Sequence, residues 1–297
     1  MSATRTAVLL LAHGTPDDVS EIPEYLRNVT GGRPIPESVI EELKHRYSLI
    51  GRSPLTAITR SQGELLHRAT GIPVYVGMRN WKPYIADTIK QMRADGVERA
   101  VAICLAPQNS RTSVGLYRSV ACKEADGIAI DFIESWHDHP ALIAGFAERL
   151  EAARAKAGKD AMVLFTAHSV PARTIEDGDP YEDQCRETAK LVAHKLGLSD
   201  SQWAFAFQSQ GMSGGPWIGP TVEDTLRCLR DKGVAHVIIQ PIGFVCDHVE
   251  VLYDIDIAFR EYGTKIGLDI SRPESLNDSP KLTEALADLI HTRLTWG

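Results

Sequence analysis

The chain has 297 residues, and at roughly 150 residues per domain this length predicts two domains or one large one. Its 43% hydrophobic and 24% charged residues are those of an ordinary folded protein and exclude disordered, collagen-like and disulfide-scaffold classes. With 32 basic against 39 acidic residues the formal charge is -7, so no global field recruits nucleic acid or anionic lipid, and an anionic ligand must find local donors.

The first apolar run, 7–12, stops at His13-Gly14-Thr15-Pro16. It is too short for a secretory or membrane-spanning segment, and a cytoplasmic protein without an integral membrane segment is expected. Beyond it, short runs rich in Val, Ile and Ala alternate with stretches of helical period. That is the pattern of parallel strands covered by crossover helices, and it predicts an α/β fold. Strands are expected at 6–12, 73–78, 99–105 and 128–134, then at 161–167, 203–208, 236–242 and 265–270.

The two groups of four look like a repeat. Val8-Leu9-Leu10-Leu11-Ala12-His13-Gly14-Thr15-Pro16 is echoed by Val163-Leu164-Phe165-Thr166-Ala167-His168-Ser169-Val170-Pro171. The stretch from Pro83 through Asp95-Gly96-Val97 to Pro107 is echoed by that from Pro220 through Lys232-Gly233-Val234 to Pro241. A period of half the chain predicts two similar Rossmann-like domains with parallel four-stranded sheets, 1–140 and 141–275, with 276–297 a C-terminal helix packing back on the first. Ligands of such sheets sit outside the strand C-ends, so His13 and His168 should both face a cleft between the domains. Residues 18–53, with Gly31-Gly32-Arg33-Pro34-Ile35-Pro36 inside them, are long for a connection and read either as a lid over that cleft or as a surface excursion.

Cys104, Cys122, Cys185, Cys228 and Cys246 form no CxxC pair and are odd in number. They read as buried thiols, which disfavours a disulfide framework, a cysteine zinc site and an iron-sulfur cluster. Gly211-Met212-Ser213-Gly214-Gly215 matches the nucleophile elbow Gly-x-Ser-x-Gly, but an elbow serine opens a helix directly and Pro216, Gly219 and Pro220 delay the next one. With no GxGxxG and no P-loop, a dinucleotide or nucleotide enzyme has nothing to hold its phosphates.

The densest polar cluster, Gly243-Phe244-Val245-Cys246-Asp247-His248-Val249-Glu250-Val251-Leu252-Tyr253-Asp254, follows the strand 236–242 directly. A helix beginning near Asp247 would stack Glu250 and Asp254 on one face, with Asp247 one turn earlier. Aligned carboxylates repel, and a bound divalent metal would remove that cost; with an added imidazole the choice shifts toward iron or zinc. An acidic first turn answering the helix dipole accounts well for Asp247 and less well for the other two. His168 reads either as a packing residue or, being neutral imidazole near pH 7, as a proton acceptor and metal ligand.

Taken together, Ala167-His168-Ser169-Val170-Pro171, Gly178-Asp179-Pro180-Tyr181, Phe207-Gln208-Ser209-Gln210, Pro216-Trp217-Ile218-Gly219-Pro220, Gly243-Phe244-Val245-Cys246-Asp247-His248-Val249-Glu250 and Leu276-Asn277 resemble the ferrochelatases in order and spacing. In the first half, Gly14-Thr15-Pro16, Arg46-Tyr47, Gly51-Arg52-Ser53-Pro54-Leu55 and Gly77-Met78-Arg79 extend the likeness to essentially the whole chain. The resemblance implies a chelatase fold that inserts Fe(II) into a porphyrin, with His168 and Glu250 as the active-site pair and Asp254 as a further metal contact. It also implies iron as substrate metal, no organic cofactor and transient contacts with neighbouring haem-pathway enzymes. Within the family, Glu134-Ser135-Trp136 and His248-Val249-Glu250-Val251-Leu252-Tyr253-Asp254 are similar to the Gram-positive type that acts on coproporphyrin III, rather than to the protoporphyrin type. By that likeness Arg46, Ser53 and Tyr117 would hold propionates. His13, where those relatives carry tyrosine, would be an axial ligand to product iron or a packing residue. Thr30-Gly31 and Ala258 depart from the family, replacing basic residues and a carboxylate. A cobaltochelatase or an idle haem or metal carrier would keep the same cleft.

Overall fold

The computed structural model describes residues 4–158, 160–211 and 215–295. Met212, Ser213 and Gly214, the centre of the elbow match, lie outside them. The first half runs β1 (Thr6–Ala12), a 3-10 turn Val19–Glu21, α1 (Ile22–Val29), α2 (Glu37–Ile50), α3 (Leu55–Thr70), β2 (Val74–Met78), α4 (Ile85–Ala94), β3 (Arg99–Cys104), α5 (Val114–Glu124) and β4 (Ala129–Ile133). The second runs α6 (Pro140–Ala157), β5 (Met162–His168), α7 (Ala172–Glu176), α8 (Tyr181–Lys195), β6 (Trp203–Gln208), α9 (Val222–Asp231), β7 (His236–Pro241), α10 (Val249–Leu252), a π-helical segment Asp254–Phe259, α11 (Arg260–Ile266), β8 (Asp269–Ser271) and α12 (Pro280–Thr295).

Both sheets have four strands in the same order, β2-β1-β3-β4 and β6-β5-β7-β8, and every pairing is parallel. β1 and β5 are central in their sheets and covered on both faces, which is why each reads as an unbroken apolar run rather than an alternation. β5 ends at His168, and His13 is the first residue after β1.

One apolar cluster runs through both halves. It joins Val8, Leu10, Val101 and Ile103 of the first sheet to Val163, Phe165 and Ile238 of the second through Phe146 of α6 and Leu286 and Ile290 of α12. α12 packs on both α3 and α6. Ahead of α12, Ser61 donates to Asp278 Oδ2 at 3.0 Å and Gln62 Nε2 to the Asn277 carbonyl at 2.6 Å. A polar seam adds to this, where Gln108 Nε2 donates to Thr188 Oγ1 and the Ile242 carbonyl, each at 3.1 Å. The insertion 18–53 has its own small core of Ile22, Tyr25, Leu26 and Tyr47, closed by Trp81 and, from the second half, Val249.

Three expectations are corrected. Strand β8 is Asp269–Ser271 and not 265–270: Lys265 and Ile266 belong to α11, which Gly267 ends in the left-handed conformation, φ 81. The helix after β7 starts at Val249, leaving Asp247 outside it. Cys122 and Cys228 are exposed, because the buried stripes of α5 and α9 run through Tyr117-Ala121 and Leu226-Leu229 and turn both thiols outward; Cys104, Cys185 and Cys246 are buried.

Candidate active site

His168 is the last residue of β5, and its neighbours fix the imidazole. Tyr181 Oη donates to the His168 carbonyl at 3.0 Å, and the His168 Nδ1–H is taken by the Ser169 carbonyl. Nε2 is thereby left as the nitrogen that gains or loses a proton, 3.4 Å from Glu250 Oε1. The other carboxylate oxygen, Oε2, is 3.4 Å from Nε2 of His248. Phe244 presents its ring edge-on to both imidazoles.

Glu250 is steered from the adjacent strand. Gln208, in register with His168, accepts from Thr166 Oγ1 at 2.7 Å and donates through Nε2 to the Glu250 carbonyl at 2.9 Å. Burial opposes ionisation of Glu250, but His168 and His248 more than offset it and hold the carboxyl well below its usual range. Burial would lower His168, yet the charge and hydrogen bond of Glu250 raise it to about 8. The pair is an imidazolium–carboxylate at neutral pH.

Asp254 lies beside this pair but faces elsewhere. Ser209, whose φ of 60 turns its hydroxyl back toward the helix, donates to Asp254 Oδ2. Arg46 Nη1 stands 3.6 Å from Asp254 Oδ1. Burial pushes Asp254 up to about 6. Arg46 also bonds Glu42 at 2.9 Å and lies over the Tyr253 ring, 4.9 Å from its centroid, so one side chain ties α2 to the segment after α10. Among the described residues, no three His, Cys, Asp or Glu side chains group so as to hold a metal ion. Asp247 is drawn away entirely: Ser275 Oγ, Asn277 Nδ2 and Arg272 Nη2 engage its carboxylate at 2.7, 3.0 and 3.2 Å. Its charge is structural.

The first half supplies the opposing residues. His13 directly follows β1 and precedes Gly14 at φ 79, where a Cβ would come within 2.8 Å of the Trp81 nitrogen. His13 Nε2 shares a 3.0 Å hydrogen bond with Tyr25 Oη, and Asn80 Nδ2 stands 3.1 Å from the same nitrogen. Burial, aided by Arg79, lowers His13 to about 4, so this imidazole is neutral. Ser53 is buried and its Oγ accepts from Thr15 Oγ1 at 2.9 Å. Tyr117 is buried beneath the Arg79 guanidinium. The structure thus brings His168 and Glu250 into contact, sets Arg46 and Asp254 against each other beside them, and places His13, Ser53 and Tyr117 in the first half. Sequence reasoning assigned no role to Gln208, His248 or Arg79; the echo of β1 in β5 pointed to His168, but the partner strand's last residue becomes visible only through the register.

The family model described as ferrochelatase matches residues 5–294. The chain belongs to the ferrochelatase family. It is 59% identical over 309 residues to a ferrochelatase of Acidobacterium capsulatum, covering 98% of this chain and 95% of that one. It is 36% identical over 310 residues to the coproporphyrin III ferrochelatase of Bacillus subtilis, covering 99% of each. The fold is shared with SirB from Bacillus subtilis, solved with Fe3+, at TM-score 0.61 and 9% identity over 97% of this chain and 94% of that one. CbiX, the terminal enzyme of sirohaem biosynthesis in denitrifying bacteria, matches at TM-score 0.54 and 15% identity over 96% and 98%. As a ferrochelatase the chain is a porphyrin metal chelatase, a lyase, with the two-sheet chelatase fold. No helix among its described residues is long and apolar enough to cross a membrane.

Proposed function

We propose that this ferrochelatase works in the cytoplasm and inserts Fe(II) into coproporphyrin III in preference to protoporphyrin IX, with His168 and Glu250 doing the chemistry. The observation that carries the site assignment is the 3.4 Å approach of His168 Nε2 to Glu250 Oε1, with the imidazole's other nitrogen committed to the backbone. A free-base porphyrin holds two N–H protons in the hole the metal must occupy. Insertion therefore needs a proton acceptor at the ring centre and a group that exchanges for the water on iron. In its unprotonated form His168 accepts the two porphyrin protons at Nε2 one after the other, passing each on to water, and Glu250, anionic across the working pH range, offers an oxygen to the incoming iron and stabilises each imidazolium formed. Two protons leave as one Fe(II) enters; iron keeps its oxidation state, and the step requires no organic cofactor.

The preference for coproporphyrin rests on the relatives named for that substrate and on Arg46 at the cleft, suited to a propionate by its forked donors. Anaerobic Fe(II) insertion assays with both porphyrins test it. Coproporphyrin III is expected to give the higher kcat/KM. Equal kinetics would overturn the preference, and stoichiometric binding without turnover would make the protein a carrier.

A further inference from the structure

Beyond the end of β2 the chain is pinned to β1: Arg79 N–H donates to the Ala12 carbonyl at 3.0 Å and Asn80 N–H to the His13 carbonyl at 2.9 Å. The Arg79 backbone is therefore fixed beside His13. Its guanidinium lies over the Tyr117 ring, 5.3 Å from the centroid, and its charge helps keep His13 unprotonated. Arg79 Nε is buried with no hydrogen-bond acceptor. Among the described residues, no carboxylate oxygen lies within 4.0 Å of the group. The contrast with the other partly buried arginines of the site is plain: Arg46 faces Glu42 and Asp254, and Arg272 faces Asp247 and Asp256.

An arginine cannot shed its proton to relieve such a position. An aromatic face offsets only part of the cost of withdrawing the guanidinium's Nε from water. A purely structural cation would have been given a counter-ion by the fold. A planar fork left without a carboxylate of its own fits an arriving one in two-point contact.

We propose that Arg79 is a substrate-binding residue that receives one carboxylate of the porphyrin on the first-half side of the cleft, with Tyr117 holding the guanidinium in place. The proposal rests on the reading that a carboxylated porphyrin is the substrate. It makes two anchors from different elements, Arg79 after β2 and Arg46 on α2, which would fix the ring in its plane.

The test is porphyrin binding followed by fluorescence quenching, using the full chain and Arg79→Gln and Arg79→Lys, with coproporphyrin III and its tetramethyl ester in the same detergent. Arg79→Gln should weaken the tetra-acid by roughly 10- to 100-fold and change the ester less than about twofold, since the ester lacks the anion. Arg79→Lys should recover part of the loss. Unchanged affinity for the tetra-acid in Arg79→Gln overturns the proposal, as does an equal loss for acid and ester, which marks a role in shaping the cleft only. Wild-type protein that binds neither porphyrin overturns the substrate reading itself, and the proposal with it.

Discussion

The imidazole of His168 and the carboxylate of Glu250 stand 3.4 Å apart and set each other's charge. They come from different elements of the second half, the end of β5 and the first turn of α10, and neither is part of a packed core: their side chains keep 31% and 35% of their exposure. His168→Ala and Glu250→Gln should each reduce Fe(II) insertion by about 10²–10⁴-fold, while circular dichroism and Tm stay close to wild type. Normal turnover in either variant would remove that residue from the mechanism.

The charge pair has a pH signature. His168 is raised from 6.5 to about 8, so its contribution to stability is fully present below about 6.5 and is lost as pH rises through about 8. Glu250 is depressed below 4.5, so its contribution is present above that value and fades as pH falls through the folded one. Reaction with a neutral acceptor should show kcat/KM rising through about pH 8. NMR titration of His168 in Glu250→Gln checks the cause: the midpoint should fall below that of the wild type, because the main upward influence is gone. An unmoved midpoint would show that Glu250 does not hold the proton there.

Arg46 bridges α2 to the segment after α10 through Asp254 and Tyr253. A propionate that takes its guanidinium must displace the 3.6 Å contact with Asp254. Arg46→Ala should raise KM for coproporphyrin III by about 10- to 100-fold with little change in kcat, the signature of lost ground-state binding. Asp254→Asn should be milder than either change at the pair. A fall in kcat with KM unchanged in Arg46→Ala would place Arg46 in the chemistry and not in substrate binding.

His13 offers a sharper choice than its position in the strand suggested. Its Nε2 is engaged by Tyr25 Oη at 3.0 Å, so axial ligation of product iron would require that hydrogen bond to break. Resonance Raman spectra of the product complex should show the same coordination and spin state in His13→Ala as in wild type. A change from six- to five-coordinate iron on substitution would establish ligation instead.

The central strands, the two parallel four-stranded sheets and the histidines at the strand C-ends were legible because buried parallel strands write continuous apolar runs, and the repeat wrote them twice. Ile266-Gly267-Leu268-Asp269-Ile270 alternates like a strand, yet its first residue completes α11; Gly267 serves equally in a strand or as a helix stop, and only the left-handed φ decides. Asp247 read as an acidic first turn answering a helix dipole or as the first of three aligned carboxylates, because spacing says nothing of direction. Its partners Arg272, Ser275 and Asn277 come from the far side of β8. Gln208, His248 and Arg79 acquire roles through register and packing, which are non-local properties of the chain.

The apolar cluster that runs through Phe146 joins both sheets, and it predicts cooperative unfolding. Calorimetry should show one transition. Phe146→Ala, at a residue 1% exposed, should cost about 3–5 kcal/mol and lower that single Tm without splitting it. Two resolved peaks would mean that the halves melt separately.

The matched strands β1 and β5 each carry a histidine at the C-terminal end, His13 just beyond β1 and His168 closing β5, but their surroundings leave one near 4 and the other near 8. A flat macrocycle between them would meet an uncharged ring on one side and an imidazolium–carboxylate on the other. The two faces of coproporphyrin III are mirror-related and chemically indistinguishable in solution. In this cleft they are no longer equivalent, so iron would be delivered to one face only, and a duplicated fold would impose handedness on a substrate that has none.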